Sequence, residues 1–434
     1  MDKMADVLGR AGAWCGQNKY LSAIKNAFQN FMPLTIAGAI GVLWCNVLVN
    51  DQTGLGLFFK PIMALDFLNP AFQAVNFCTI SCITVGITLG IAQEIGVWNM
   101  GAERAGYIPG LVGLAAWLSV TNTSHMVDGA KEAFTGVAGN ELGATGLFTG
   151  MIIGVLSVEL FCFFEKQDAL KIKMPEQVPP GVARAFEVLV PATLTLIITA
   201  CIGSACYNLT GLYLNDVIKN GIQGPLGAVG ATIPGVMIIY LVIMLFWLVG
   251  IHGNNMLSAV KEALFTPLAL ENVEKFNKGE KPTNIINMYA LQMWGEFGGS
   301  GVTIGLVIAI MIFGKREDNK AIATLSLVPG LFNINETVTF GVPMVLNPIL
   351  GIPFVVAPLI TIIIGYVLTV IGFCPVACLT VPWTTPPIVF GFLACGANVM
   401  GAVTQAILIV VSTVIYVPFL ISYEKYQNKQ AAEA

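Results

Sequence analysis

The chain has 434 residues, of which 56% are hydrophobic and only 11% charged, against about 25% charged in a soluble domain. Together with runs apolar on every side, such as MIIYLVIMLFWLVG (237–250) and AILIVVSTVIYVPFLIS (406–422), this excludes a water-soluble globular protein and predicts an all-α polytopic membrane protein. A net charge of −4, with no basic tract and no basic stripe interleaved with aromatics, excludes nucleic acid as a partner.

In chain order, the N-terminal segment lacks the apolar core and cleavage site of a signal peptide and is predicted to lie on the membrane surface as an amphipathic lead-in. Spans are predicted near 29–49, 74–94, 106–121, 144–164, 187–208, 226–250, 300–314, 347–373 and 400–422. Segments 251–267, 284–299, 321–343 and 380–397 are apolar but interrupted. Non-helical backbone survives at membrane depth only where protein or a wet cavity covers it, so these breaks point to a substrate pathway. Lys3, Arg10, Lys19 and Lys25 precede the first span. Lys166, Lys171, Lys173 and Arg184 share one loop, Lys315, Arg316 and Lys320 another, and Lys425 and Lys429 follow the last span. The positive-inside rule puts all four regions in the cytoplasm, which requires an even number of crossings, about ten. The mixed charges of 261–281 assign no side.

Gly146, Gly150 and Gly154 repeat every four residues and open one helix face to close backbone contact, either within the chain or between subunits. Residues 1–220 hold the more regular spans and are expected to form an N-terminal scaffold and dimerisation domain. Residues 226–434, with most of the interrupted segments, are expected to form a C-terminal transport domain, joined to the first near 209–225. No P-loop is present, and GGSGVTIG (298–305) has the wrong spacing for a dinucleotide fingerprint. It is expected to be a close-packing or ligand-facing turn. Ten scattered cysteines without a C-x-x-C, and only two histidines, predict neither a metal site nor a cofactor.

Three polar clusters interrupt the second half. The first is VPGLFNINETVTFGVPMVLNP (328–348). Between Pro329 and Pro343 an α-helix would reach roughly 20 Å, short of the ~30 Å hydrocarbon core. A re-entrant hairpin with NINET at its tip is therefore expected, placing Glu336 in or near the membrane. A carboxylate at mid-membrane costs about 2.5–3.5 kcal/mol on insertion scales. Glu336 thus either caps the turn or faces a substrate cavity. The second cluster is GIHGNN (250–255), where glycines and amides surround His252 at the end of a long span. Either His252 is a hydrogen-bonded packing residue, or it works on a hydroxyl beside a carboxylate. In the third, LTVPWTTPPIVFGFL (379–393), prolines forbid regular helix around Trp383, which is either an interfacial anchor or a stacking platform for a sugar ring. Glu296, in WGEFGGSG, lines the same cavity or sits at its edge. Asn140 and Glu141 could reach a ligand from the scaffold half. Glu94 and Arg104 suit an ion pair at a cytoplasmic turn, and His125 a structural place in an outward loop.

GIHG (250–253), NINETVTFGVPMVLNP (333–348) and VPWTTP (381–386), with NAFQNFMPLTIAGAI (26–40) and VPPGVARAFEVLVPA (178–192), resemble the enzyme IIC membrane component of the bacterial phosphotransferase system, in its lactose/cellobiose/diacetylchitobiose branch. The likeness covers nearly the whole chain in the same order. It implies a homodimer in the bacterial inner membrane, both termini cytoplasmic, that binds and translocates a β-linked disaccharide. The sugar's C6 hydroxyl is then phosphorylated by the phosphocysteine of a separate IIB protein, for which no fused domain is expected here. It further implies that His252 and Glu336 sit near that hydroxyl, as the catalytic pair, and that Trp383 stacks on the sugar. Asn335, Glu296 and Asn140 are additional binding candidates. An arginine that follows an acidic pair in the family's cytoplasmic turn after the second span has only a loose counterpart, Arg104, in AQEIGVWNMGAERAGYIPG (92–110). The alternative is an ion-coupled secondary sugar transporter with Glu336 as the coupling carboxylate, and a third reading is a non-transporting sugar receptor.

Overall fold

The computed structural model describes residues 10, 14, 17–51, 54–125, 134–175, 177–225, 230–342 and 344–433. Lys3, Pro343 and part of the loop after His125 lie outside these residues. Among the described residues six helical stretches are long and apolar enough to cross a membrane: Lys19–Leu48, Lys60–Met100, Leu147–Glu165, Pro180–Thr210, Gly351–Val370 and Val399–Gln430. Ile108–Val120, Ile233–Leu248 and Ile304–Phe313 are shorter apolar helices. The chain is the all-α, multi-pass membrane protein that its composition predicts.

The described chain divides into two compact units, one of residues 17–38 and 75–228, the other including 39–74 and 229–434. In the first, helices Ile83–Met100, Ile108–Val120 and Leu147–Glu165 pack on one another, and Pro180–Thr210 packs on the last two. Ile83, Ile87, Ile91 and Ile95 recur every fourth residue and are buried, giving the first of these helices a continuous apolar face. A two-stranded antiparallel pair, Ser124–His125 with Phe134–Thr135, lies in this unit.

The glycine stripe packs within the chain. A Cβ on Gly150 would stand 2.3 Å from Thr88 Oγ1 and 2.8 Å from Thr84 Cγ2, and one on Gly154 would stand 3.1 Å from the Thr88 carbonyl. Gly150→Leu should therefore destabilise the isolated protein, by about 1–3 kcal/mol or more of overpacking, read as a lower thermal midpoint in detergent at unchanged oligomeric state. A variant that changes only the oligomeric state would return the stripe to a subunit interface.

In the second unit, Ile304–Phe313 packs against Val399–Glu433 and Glu317–Leu331, while Gly351–Val370 packs against Val399–Glu433, Ile233–Leu248 and Met288–Gly295. Segment 39–74 is close in sequence to the first half yet joins this unit, with Asn46 Nδ2 donating to Asn277 Oδ1 at 3.2 Å. Two fully buried amides tie two loops together, one at Asn284 and one at Ala377. Asn272 Nδ2 donates to the carbonyls of Asn284 and Ala377, and Asn287 Nδ2 donates to the same two. Each side-chain oxygen in turn accepts two backbone N–H groups, so all four polar valences used are internal to the protein.

The interrupted segments differ in kind. Within the segment 251–267, Gly253–Met256 is a short separate helix, while Ser258–Asn277 runs as one helix through Pro267. Proline removes one ladder hydrogen bond there, and the rest of the helix outlasts the loss. The breaks at 284–299, 321–343 and 380–397 are present as short helices, Met288–Gly295, Glu336–Gly341 and Val389–Ala394, next to irregular backbone.

Candidate functional site

The hairpin carrying NINET starts earlier than its prolines suggest. Helix Glu317–Leu331 begins in the polar run EDNK, capped by Glu424, which accepts N–H groups from Lys315 and Arg316 and the amide of Asn319. A carboxylate at this end complements the helix dipole. Pro329 falls in the helix's last turn, the chain breaks over 332–335, and Glu336 opens the returning helix Glu336–Gly341, which packs on the first. Asn333 makes the turn at φ +63°, a left-handed conformation that Asn tolerates better than other side-chain-bearing residues.

His252 caps the short helix Gly253–Met256. Its Nδ1 accepts the Asn255 N–H at 3.3 Å, which leaves Nε2 to carry the proton of the neutral ring. Nε2 lies 4.0 Å from Glu336 Oε1. That is too far for a direct hydrogen bond, but an oxygen about 2.8 Å from each would bridge the two. The imidazole rests on the buried Trp247 ring, with centroids 4.4 Å apart. A Cβ on Gly253 would meet the Ile243 carbonyl at 2.0 Å, so a glycine is required for the turn to close on the preceding helix Ile233–Leu248.

Between these elements lies the loop 296–303, whose Gly298, Gly299, Gly301 and Val302 all have positive φ, from +49° to +88°. Its polar groups are matched one by one. Asn333 Oδ1 accepts the Gly298 N–H (2.6 Å), and Thr303 donates to the Gly298 carbonyl (2.6 Å). Asn335 Nδ2 donates to the Ser300 carbonyl (2.7 Å), and Asn254 Nδ2 to the Ser300 hydroxyl (3.0 Å). Tyr416 and Ser412, on the helix Val399–Glu433, donate to the carbonyls of Gly301 and Val302, each at 2.8 Å. The glycine-rich stretch is thus a close-packed internal turn that joins the first two polar clusters, which Asn333 links in turn to the third.

Trp383 belongs to the irregular backbone that leads into Val389–Ala394. Asn333 Nδ2 donates to the Trp383 carbonyl and, at 3.1 Å, to that of Thr385. At the far end Gln405 Oε1 accepts the N–H groups of Ile388 and Gly391, and its Nε2 donates to the Met293 carbonyl. Trp383 itself is 44% exposed, and the side chains of His252 and Glu336 are 38% and 49% exposed. They are the open groups of a frame whose other members are mostly buried.

The remaining candidates are placed as follows. Asn335 is 4% exposed and points into the protein, its amide on Ser300. Glu296 pairs with the buried ammonium of Lys261 and accepts from the Tyr240 hydroxyl at 2.7 Å. Both residues therefore act first on the frame. Arg104 and Asn140 lie in the other unit. Arg104 binds Glu165 (2.8 Å) and Glu187 (2.7 Å), and Arg184 binds the same two carboxylates. The Glu165 hydrogen bond, followed by the pull of both carboxylates, raises the Arg104 pKa above its ordinary value despite partial desolvation. Glu94 accepts from Asn26 and Asn30, not from Arg104. Asn140 is exposed and its Oδ1 accepts the Glu141 N–H. His125 stacks beside Phe134. Lys261 and Tyr240 are not among the residues singled out from sequence, and Asn333 is read there only as part of the NINET tip, without a role of its own. Lys261 shares its helix with Glu262, Glu271, Glu274 and Lys275, so the local sequence offers nearer partners than Glu296 and gives no signal for the pair.

The residues 25–358 match the family model described as Phosphotransferase system, EIIC. The chain is 32% identical to the oligo-beta-mannoside-specific EIIC component of Bacillus subtilis (strain 168), over 98% of this chain and 94% of that protein. It is 30% identical to the cellobiose-specific EIIC component of Lactococcus lactis subsp. lactis (strain IL1403), over 98% of each. Its fold is similar to the crystal structure of the transporter ChbC, the IIC component from the N,N'-diacetylchitobiose-specific phosphotransferase system, with a TM-score of 0.88, 29% identity and 97% of each chain covered. By this family match and these near full-length similarities, the chain belongs to the phosphotransferase system EIIC family.

Proposed function

We propose that the protein is the membrane permease of a phosphotransferase system for a β-linked disaccharide of the cellobiose or diacetylchitobiose type, and that it presents the sugar's C6 hydroxyl to a separate phosphorylated IIB protein. The observation that carries this reading is the 4.0 Å gap between His252 Nε2 and Glu336 Oε1, in the same hydrogen-bonded frame as the exposed indole of Trp383. A hydroxyl oxygen in that gap accepts from His252 and donates to Glu336. Sugar rings have apolar C–H faces, which an indole covers.

The chemistry follows from these roles. The hydroxyl oxygen attacks the phosphorus of the IIB phosphocysteine, the O–P bond forms as the S–P bond breaks, and the thiolate leaves. The hydroxyl proton passes to Glu336, with neutral His252 orienting the oxygen. Phosphoryl transfer of this kind needs positioning and charge management more than covalent help. The unit of residues 39–74 and 229–434 is the transport domain in this reading. The unit of 17–38 and 75–228 is the scaffold of a homodimer in the bacterial inner membrane, with both termini cytoplasmic.

The deciding experiment uses inside-out vesicles, labelled cellobiose or diacetylchitobiose, and phosphorylated IIB. Sugar 6-phosphate is expected even after ion gradients are collapsed. Uptake that stops with the gradient and yields no phosphorylated sugar would favour ion coupling through Glu336 instead.

A further inference from the structure

We infer that Asn333 is a positioning residue that fixes the register between the Trp383 platform and the His252–Glu336 pair, and so selects which sugar hydroxyl reaches that pair. The inference rests on the functional reading above. Its starting point is valence. A side-chain amide has two N–H donors and one carbonyl oxygen. In Asn333 both kinds are in use, with Oδ1 on the Gly298 N–H and Nδ2 on the carbonyls of Trp383 and Thr385.

One amide therefore binds three chain segments at the point where they meet. Its own backbone leads, three residues on, into Glu336 at the head of the returning helix. Asn335, on the same turn, holds the Ser300 carbonyl of the loop that Asn333 holds at Gly298. The Ser300 hydroxyl is in turn held by Asn254, two residues from His252. The carboxylate, the imidazole and the indole thus share one frame, in which Asn333 bonds the Trp383 and Thr385 carbonyls while Gln405 holds the far end of that segment at Ile388 and Gly391. A sugar stacked on Trp383 meets the pair at a distance set by this amide. If the amide lets go, the platform moves relative to the pair while the pair itself stays intact.

Residue type follows from two demands. The turn needs φ near +63°, which favours Gly, Asn and Asp. The two carbonyls need a donor, which Gly and Asp lack. Asn333→Asp is hence a selective probe. It keeps the shape, the turn and the oxygen on Gly298, and it sets a carboxylate oxygen against two carbonyl oxygens.

The test measures equilibrium binding of cellobiose and of diacetylchitobiose to the purified full chain at pH 8, for wild type, Asn333→Asp, Trp383→Ala and the double variant. Asn333→Asp is expected to weaken binding of the better ligand by about ten-fold, and to add less than about two-fold on the Trp383→Ala background. The sugar-induced change in tryptophan emission that Trp383→Ala removes should also be lost in Asn333→Asp. Equal effects of Asn333→Asp with and without Trp383 would overturn the inference, since the amide would then act elsewhere. Weaker binding in Trp383→Ala beside unchanged binding in Asn333→Asp would overturn it while leaving the site reading intact. Unchanged binding in Trp383→Ala would remove the platform and the inference together. Should the aspartate variant fail to fold, Asn333→Gly, which keeps the turn and deletes the amide, carries the same cycle.

Discussion

Glu336→Gln is expected to cut sugar phosphorylation by phosphorylated IIB by about 10²–10⁴-fold, the range that a positioned proton acceptor contributes. Glutamine keeps the size of the side chain and an oxygen that can face His252 Nε2, 4.0 Å away in the wild type. It cannot take up a proton at neutral pH. Loss of rate with sugar binding still measurable would separate proton acceptance from recognition. Binding lost in parallel with rate would instead make the carboxylate a ground-state contact. Normal turnover would remove it from the chemistry. His252→Gln provides the companion result. It can still donate a hydrogen bond, so a smaller loss than in Glu336→Gln is expected, and a larger one would make the imidazole the proton acceptor.

The second large effect concerns the ion pair beneath the loop. Lys261 and Glu296 are nearly closed to solvent, with 7% and 16% of their side chains exposed. Tyr240 donates to the same carboxylate, and the ammonium lies 5.6 Å from the Tyr240 ring centroid. Lys261→Met leaves the carboxylate without its cation, and removing one partner of a buried pair costs about 3–5 kcal/mol. The thermal midpoint in detergent should fall clearly. Lys261→Met with Glu296→Gln should regain most of the loss, because the amide oxygen still accepts from Tyr240 and no charge is left alone. If Glu296 contacts sugar directly, the double variant Lys261→Met with Glu296→Gln will still bind sugar more weakly while its midpoint recovers. If the pair serves the loop, stability and affinity fall together in Lys261→Met and recover together in the double variant.

These two experiments address residues of unequal legibility. Glu336 and His252 stand out in sequence because a carboxylate and an imidazole in apolar surroundings need a reason, and prolines and glycines beside them rule out plain helix. Trp383 is legible for the same cause. The long spans are legible because their apolar runs exceed any soluble helix. Contacts between distant segments are not. Asn333 and Asn335 are the same residue type, two positions apart, yet one holds Trp383 and the other Ser300. Only the direction of each side chain separates them. The Lys261–Glu296 pair bridges 35 residues, and sequence reading treats the lysine as part of a mixed-charge segment and the glutamate as a cavity residue. Segment 39–74 follows the first predicted span directly, so nothing local says that it packs with residues beyond 229. Pro267 and Pro329 are both inside helices, where a proline alone suggests a break. Such exceptions are decided by what surrounds the lost hydrogen bond.

The frame around the glycine loop also bears on biosynthesis. Gln405, Ser412 and Tyr416 all project from Val399–Glu433, and the Ser412 and Tyr416 bonds to the loop span 110 and 115 residues. Domains fold as units while the chain emerges from the ribosome, N-terminal segments first. The carbonyls of Gly301 and Val302 must therefore wait, unmatched by these hydroxyls, until that late helix has been made and inserted. A nascent chain halted before residue 405 would hold every residue of the His252, Glu336 and Trp383 clusters and still lack the parts that set them in place. Competence for sugar should arrive abruptly, near the end of translation, as a property of the inserted helix and not of the clusters themselves.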